Sequence, residues 1–85
     1  MYKIIFQRSV TKQLSRIPAN DRERISYKLF DLAKDPDNKA LDITKLTGEP
    51  YLRLRVGKWR VVFDRDDTLR VISVEKVGAR GGIYK

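Results

Sequence analysis

Neither cysteine nor histidine occurs in the 85 residues of this chain. Without cysteine there is no disulfide framework and no thiolate zinc site. Without histidine the commonest general base and the commonest metal ligand are both missing. Long apolar runs are lacking too: Met1-Tyr-Lys-Ile-Ile-Phe6 turns polar at once, far short of a signal-peptide core or a membrane span. These absences predict a cytoplasmic protein with no metal and no cofactor. Acidic residues are the scarcer charge, 11 against 19 basic, and the surplus of +8 points to a polyanionic partner, most simply nucleic acid. What is present suffices for one modest core, since 41% of the residues are hydrophobic, so a wholly disordered chain is excluded and a single domain over residues 1–85 is expected.

The most informative stretch is Tyr51-Leu-Arg-Leu-Arg-Val-Gly-Lys-Trp-Arg-Val-Val-Phe63. Apolar residues alternate at period 2 on both sides of Gly57-Lys58, and Gly followed by another residue suits a two-residue type II′ turn. A β-hairpin follows, with Val56 opposite Trp59, Arg55 opposite Arg60, Leu54 opposite Val61, Arg53 opposite Val62 and Leu52 opposite Phe63. One face is then apolar (Leu52, Leu54, Val56, Trp59, Val61, Phe63), and the other carries Arg53, Arg55 and Arg60. Opposed like charges forfeit part of the roughly 0.2–1 kcal/mol that a good cross-strand pair contributes. Arginine facing arginine therefore suggests a site that expects an anion.

Around the hairpin, Tyr2 to Phe6 alternates as a short strand. Ser9 is placed to cap a helix with Val10, Leu14 and Ile17 inward, and Pro18 prevents its continuation. Asn20 with Glu23 makes a capping-box-like start for a second helix, whose buried stripe is Ile25, Leu29, Leu32 and Ala33 until Asp35-Pro36 stops it. Residues 34–50 form a long connection pinned by Leu41, Ile43 and Leu46. After the hairpin a four-residue turn, Arg65-Asp66-Asp67-Thr68, leads into a strand from Leu69 to Val77. That turn sets Arg60 across from Ser73 and Val62 across from Val71, with Glu75 on the basic face as either a salt-bridge partner or an exposed edge charge. Trp59, Tyr2, Tyr27 and Phe30 are expected to pack in the core. The fold class is α+β in the order β-α-α-β-β-β: a two-helix hairpin on one face of a mainly antiparallel, twisted sheet, with an open basic face opposite.

Lys45-Leu-Thr-Gly48, the hairpin run from Tyr51 to Arg60 and the ending Val77-Gly-Ala-Arg-Gly-Gly-Ile-Tyr84 together resemble the RelE/ParE toxin superfamily, the small basic halves of type II toxin–antitoxin pairs. The resemblance extends over nearly the whole chain. It implies, for the RelE branch, an endoribonuclease that cuts messenger RNA in the ribosomal A site without a metal. By position, Arg53 and Arg55 match the two basic places on the first hairpin strand, Arg60 the arginine on the second, Arg80 the arginine after the last strand and Tyr84 the near-terminal tyrosine. The ParE branch poisons DNA gyrase and usually lacks that full set, so Arg60, Arg80 and Tyr84 favour the ribonuclease branch. The well-known ribonucleases carry lysine where Arg53 and Arg55 stand, and many have histidine at the place of Ala79. Arginine, with a pKa above about 12, binds phosphate but does not trade protons.

The expected catalytic residues are Arg55, Arg60, Arg80 and Tyr84, with Arg53, Arg55 and Lys58 gripping RNA. Tyr84 serves either as the proton-transfer group, if surrounding cations lower its pKa from about 10, or as a base-stacking platform. The resemblance further implies an acidic antitoxin, the ribosome and messenger RNA as partners. Its rivals are a gyrase-directed toxin and an inactive RNA-binding relative.

Overall fold

A computed structural model describes residues 1–79. The order is β1 (Lys3–Phe6), α1 (Arg8–Ser15), α2 (Ala19–Lys34), β2 (Ile43–Lys45), β3 (Leu52–Val56), β4 (Trp59–Asp66) and β5 (Val71–Ala79). The strands form one open sheet in the order β1-β5-β4-β3-β2. β1 runs parallel to β5, and the remaining pairings are antiparallel.

The helix stripes are the ones the spacing predicts. Val10 and Ile17 from the first segment and Ile25, Leu29, Leu32 and Ala33 from α2 are buried against Leu54, Val56, Val61, Phe63, Ile72, Val74 and Val77 of the sheet. The helix starts differ from expectation. α1 begins at Arg8 after an extended Gln7, so Ser9 lies inside the first turn, and α2 begins at Ala19 with Pro18 as its N-cap. Neither cap residue contributes a side-chain bond. The first backbone amides of a helix have no intrahelical acceptor, so proline, which has no amide hydrogen, costs nothing there. Asn20 instead accepts from the amide of Asp21 at 3.1 Å. Asp35, extended at φ −154°, ends α2 before Pro36 as expected.

Three further expectations are corrected. The connection 34–50 contains a strand, β2, which pairs Ile43, Thr44 and Lys45 with Leu54, Arg53 and Leu52. Leu41 and Ile43 do join the core, but Leu46 does not; it borders a surface cavity. Tyr27 and Phe30 are 64% and 54% exposed on the outside of α2, where Lys34 Nζ lies 5.4 Å above the Phe30 ring. Tyr2 is buried, and Trp59 is half-buried at the core's rim.

The hairpin register is the predicted one at all five pairs. Gly57 has φ +60° and Lys58 a negative φ, which is the signature of a type II′ turn. The next turn lies further along the chain. β4 runs on to Asp66, which pairs with Val71, so Asp67-Thr68-Leu69-Arg70 make the turn and Leu69 is exposed. Arg60 therefore faces Gly78 rather than Ser73, and Val62 faces Lys76 rather than Val71. Between these pairs and Phe63↔Val74 the register slips by one residue at Glu75. This bulge returns Val77 to the core while Glu75 and Lys76 both border the cavity on the opposite face.

Candidate functional site

The face turned away from the helices is built in cross-strand rows. One row is Arg55, Arg60 and Gly78. The next is Thr44, Arg53, Val62 and Lys76. Two residues along a strand separate the rows, about 6.6 Å.

In the first row the two arginines converge. Arg55 Nε and Arg60 Nη1 donate to the same carbonyl oxygen of Gly57, at 3.4 Å and 3.3 Å, and Arg60 Nη1 also reaches the Trp59 carbonyl at 3.2 Å. The turn is what makes this possible, because its positive-φ glycine presents a carbonyl toward both strands. Arg60 is 8% exposed, the buried charge of this row. Among the described residues it has no carboxylate partner, and its remaining guanidinium hydrogens have no acceptor. Two cations held together by one neutral carbonyl are electrostatically incomplete. An incoming phosphate, able to take two parallel N–H donors from each guanidinium, would complete them. Lys58 stands on the turn with Nζ 5.3 Å above the Trp59 ring. Trp59 Nε1 is buried without a hydrogen-bond partner among the described residues.

The second row floors a cavity of about 750 Å³, whose wall is the turn between β2 and β3. The Glu49 amide donates to the Leu46 carbonyl at 3.3 Å, with Gly48 at φ +75° in the third position of the turn. Arg53 borders this cavity beside Tyr51, Val62, Glu75 and Lys76. Gln7 Nε2 donates to Glu75 Oε2 at 3.2 Å. Among the described residues no three His, Cys, Asp or Glu side chains are arranged to hold a metal ion, and no helix is long and apolar enough to cross a membrane.

Of the residues singled out by sequence, Arg55 and Arg60 are brought together, Arg53 lies one row away and Lys58 sits on the turn. Arg80 and Tyr84 lie outside the described residues. Sequence reasoning missed Tyr51, Glu49 and Lys76 as cavity residues. The period-2 pattern could have found Tyr51, which shares the parity of Arg53 and Arg55. Nothing local signals the bulge that brings Glu75 and Lys76 to one side.

A second charged cluster occupies the far end of the sheet. Arg65 binds Asp37 through two nitrogens, at 2.9 Å and 3.1 Å, and donates to Asp67 at 2.6 Å. Tyr2 donates its hydroxyl to the same Asp67 at 2.8 Å. The Arg65 hydrogen bonds hold both carboxyls below their usual 3.8 and raise the guanidinium's own pKa. These contacts tie the β4–β5 turn to the segment after α2. All three nitrogens of Arg65 meet an acid, so this cluster is a structural tie, unlike the Arg55–Arg60 pair.

No family model matches the chain, and no curated protein does. Solved structures do. A chain of the archaeal RelE–RelB complex from Pyrococcus horikoshii OT3 is 26% identical with a TM-score of 0.82, covering 95% of this chain and 97% of that one. The RelB–RelE antitoxin–toxin complex from Methanococcus jannaschii matches at 28% identity and TM-score 0.77, covering 94% of each chain. The isolated E. coli RelE toxin matches at 27% identity and TM-score 0.73, covering 99% of this chain and 92% of that one.

Proposed function

Because the chain belongs by its fold to the RelE-like toxin superfamily, we propose that it is the toxin of a type II toxin–antitoxin pair and acts as a ribosome-dependent, metal-independent messenger RNA endonuclease. The observation that carries this reading is the sharing of one carbonyl by Arg55 and Arg60 on the open sheet face. In the proposed reaction the 2′-hydroxyl attacks the adjacent phosphorus, the bond to the 5′-oxygen breaks, and a 2′,3′-cyclic phosphate and a 5′-hydroxyl result. Negative charge builds on the non-bridging oxygens as the pentavalent phosphorus forms. Arg55 and Arg60 stabilise that charge, with Arg80 joining them, while Arg53 and Lys58 grip the backbone on either side. Tyr84 supplies the proton transfer or aligns the sugar by stacking. Since arginine is a poor proton carrier, the rate relies on alignment of the RNA for in-line attack, which a ribosome-held codon provides. The proposed partners are the ribosome with its messenger RNA and a cognate acidic antitoxin. The antitoxin follows from the structural relatives, which are solved as RelE–RelB complexes.

Induction in cells tests this. Wild-type protein should arrest growth and yield truncated messenger RNA by primer extension, whereas Arg60→Met and Arg55→Ala should spare the cells with melting temperature little changed. An SOS response with cleaved DNA and intact messenger RNA would instead indicate a gyrase poison. Salt-sensitive RNA binding without strand scission would indicate an inactive relative.

A further inference from the structure

The cavity beside the arginine pair has a composition that phosphate binding does not account for. Its floor holds Arg53 and Lys76, yet Glu49 on the β2–β3 turn and Glu75 on β5 line it too, together with Tyr51. Carboxylates repel a phosphate. Their natural ligands are N–H groups, and the chemistry that presents N–H groups next to a phosphodiester is a nucleobase with an exocyclic amine. The backbone takes specific measures to put acid there. The bulge on β5 delivers Glu75 and Lys76, which are consecutive, to the same cavity, where an unbroken strand would send one of them into the core. Gln7 occupies Glu75 Oε2 from the β1 edge, which fixes the carboxylate and leaves Oε1 to accept. Gly48 at φ +75° turns the chain so that Glu49 lines the same cavity. The cavity lies one cross-strand row, about 6.6 Å, from Arg55 and Arg60, a spacing that a neighbouring nucleotide spans. Its volume of about 750 Å³ accommodates a base together with Tyr51 stacked on it.

We propose that this cavity is a base-reading subsite: it receives the nucleobase next to the phosphate held by Arg55 and Arg60, stacks it on Tyr51, and selects amine-bearing bases over uracil through Glu49 and Glu75. The inference deepens the ribonuclease reading and rests on its placement of RNA on this face. Cytosine donates its N4 amine to a carboxylate. Uracil places the O4 carbonyl at the same position, lone pair against lone pair. The two pyrimidines are equal in size, so the amine alone separates them.

The test uses full-length protein and fluorescein-labelled 2′-O-methyl hexacytidylate and hexauridylate, which lack the attacking hydroxyl, with binding followed by anisotropy at fixed low salt. The cytidine oligomer should bind at least about fivefold tighter than the uridine oligomer. Glu49→Gln combined with Glu75→Gln should reduce the ratio to near one, because a side-chain amide donates to O4 as readily as it accepts from N4. Arg55→Ala should weaken both oligomers alike. Equal affinity of the wild type for the two oligomers, a ratio unmoved in the double variant, or no binding of either would overturn the proposal. A wild type that cuts messenger RNA in induced cells yet shows no base preference removes the subsite and keeps the nuclease. A preference without cutting keeps the subsite and removes the nuclease.

Discussion

Gly57 shows how much of the site depends on one backbone angle. Its φ of +60° lies where a Cβ is disfavoured by about 1–2 kcal/mol, and no atom within 4 Å would meet an added methyl. Gly57→Ala should therefore destabilise the protein by about that amount through backbone strain alone, measured by urea unfolding, with Gly57→Asn milder. The same glycine supplies the carbonyl shared by Arg55 and Arg60. In the proposed reaction Arg60 is the residue on which the chemistry turns. Arg60→Met retains the buried stem and removes the charge, and it should lower cleavage by about 100- to 1000-fold, as loss of one preorganised transition-state donor does. Arg55 and Arg60 were legible as a facing pair because glycine marked the turn and alternation fixed the register. Their common acceptor was not legible, because a backbone carbonyl has no sequence signature.

At the scale of elements, β5 is exposed where β1 ends, and α1 covers that edge. Gln13 Oε1 accepts from the Val77 amide at 2.7 Å, just past the bulge. Gln13→Leu should leave that amide unpaired and cost about 1–3 kcal/mol in thermal or urea unfolding. The element boundaries that sequence missed share a physical cause. The β4–β5 turn places Arg70 at φ +55°, a positive angle on a residue other than glycine, so composition did not point to it. β4 runs through Asp64, Arg65 and Asp66, polar residues that resemble loop, and Arg65 is held there by Asp37 and Asp67. β2 is three residues long with one partly buried side chain, too short for any periodicity. Tyr27 and Phe30 are exposed because helical phase, not aromatic identity, decides burial: they lie off the stripe set by Ile25, Leu29 and Leu32.

For the whole molecule, the two charged clusters divide the work. The Arg65 tie is charge-balanced and structural. Its carboxyls have folded pKa values below the usual 3.8, so the stabilisation is fully present above that value and is lost as pH falls through the lower folded values. Melting temperature should thus be insensitive to this cluster from neutral pH down to about 5, and then fall more steeply in wild type than in Arg65→Met. The opposite charge balance, cations clustered on the open face of a chain of net charge +8, predicts that the proposed RNA binding falls steeply with salt, and each arginine removed should reduce the slope by about 0.7 for single-stranded RNA. The basic face was foreseeable from composition and alternation, and the fold from helix stripes and hairpin. The mixed-charge cavity arises only when β2, its turn and the bulged strand meet.

The most direct measurement follows purified protein added to ribosomes programmed with 5′-labelled messenger RNA, with the ends of the fragments identified. A cut in the A-site codon is predicted, ending in a 2′,3′-cyclic phosphate, lost when the nucleotide is 2′-deoxy and strongly reduced in Arg60→Met. Messenger RNA that stays intact under wild-type protein, or a cut that Arg60→Met leaves at full rate, would contradict the account.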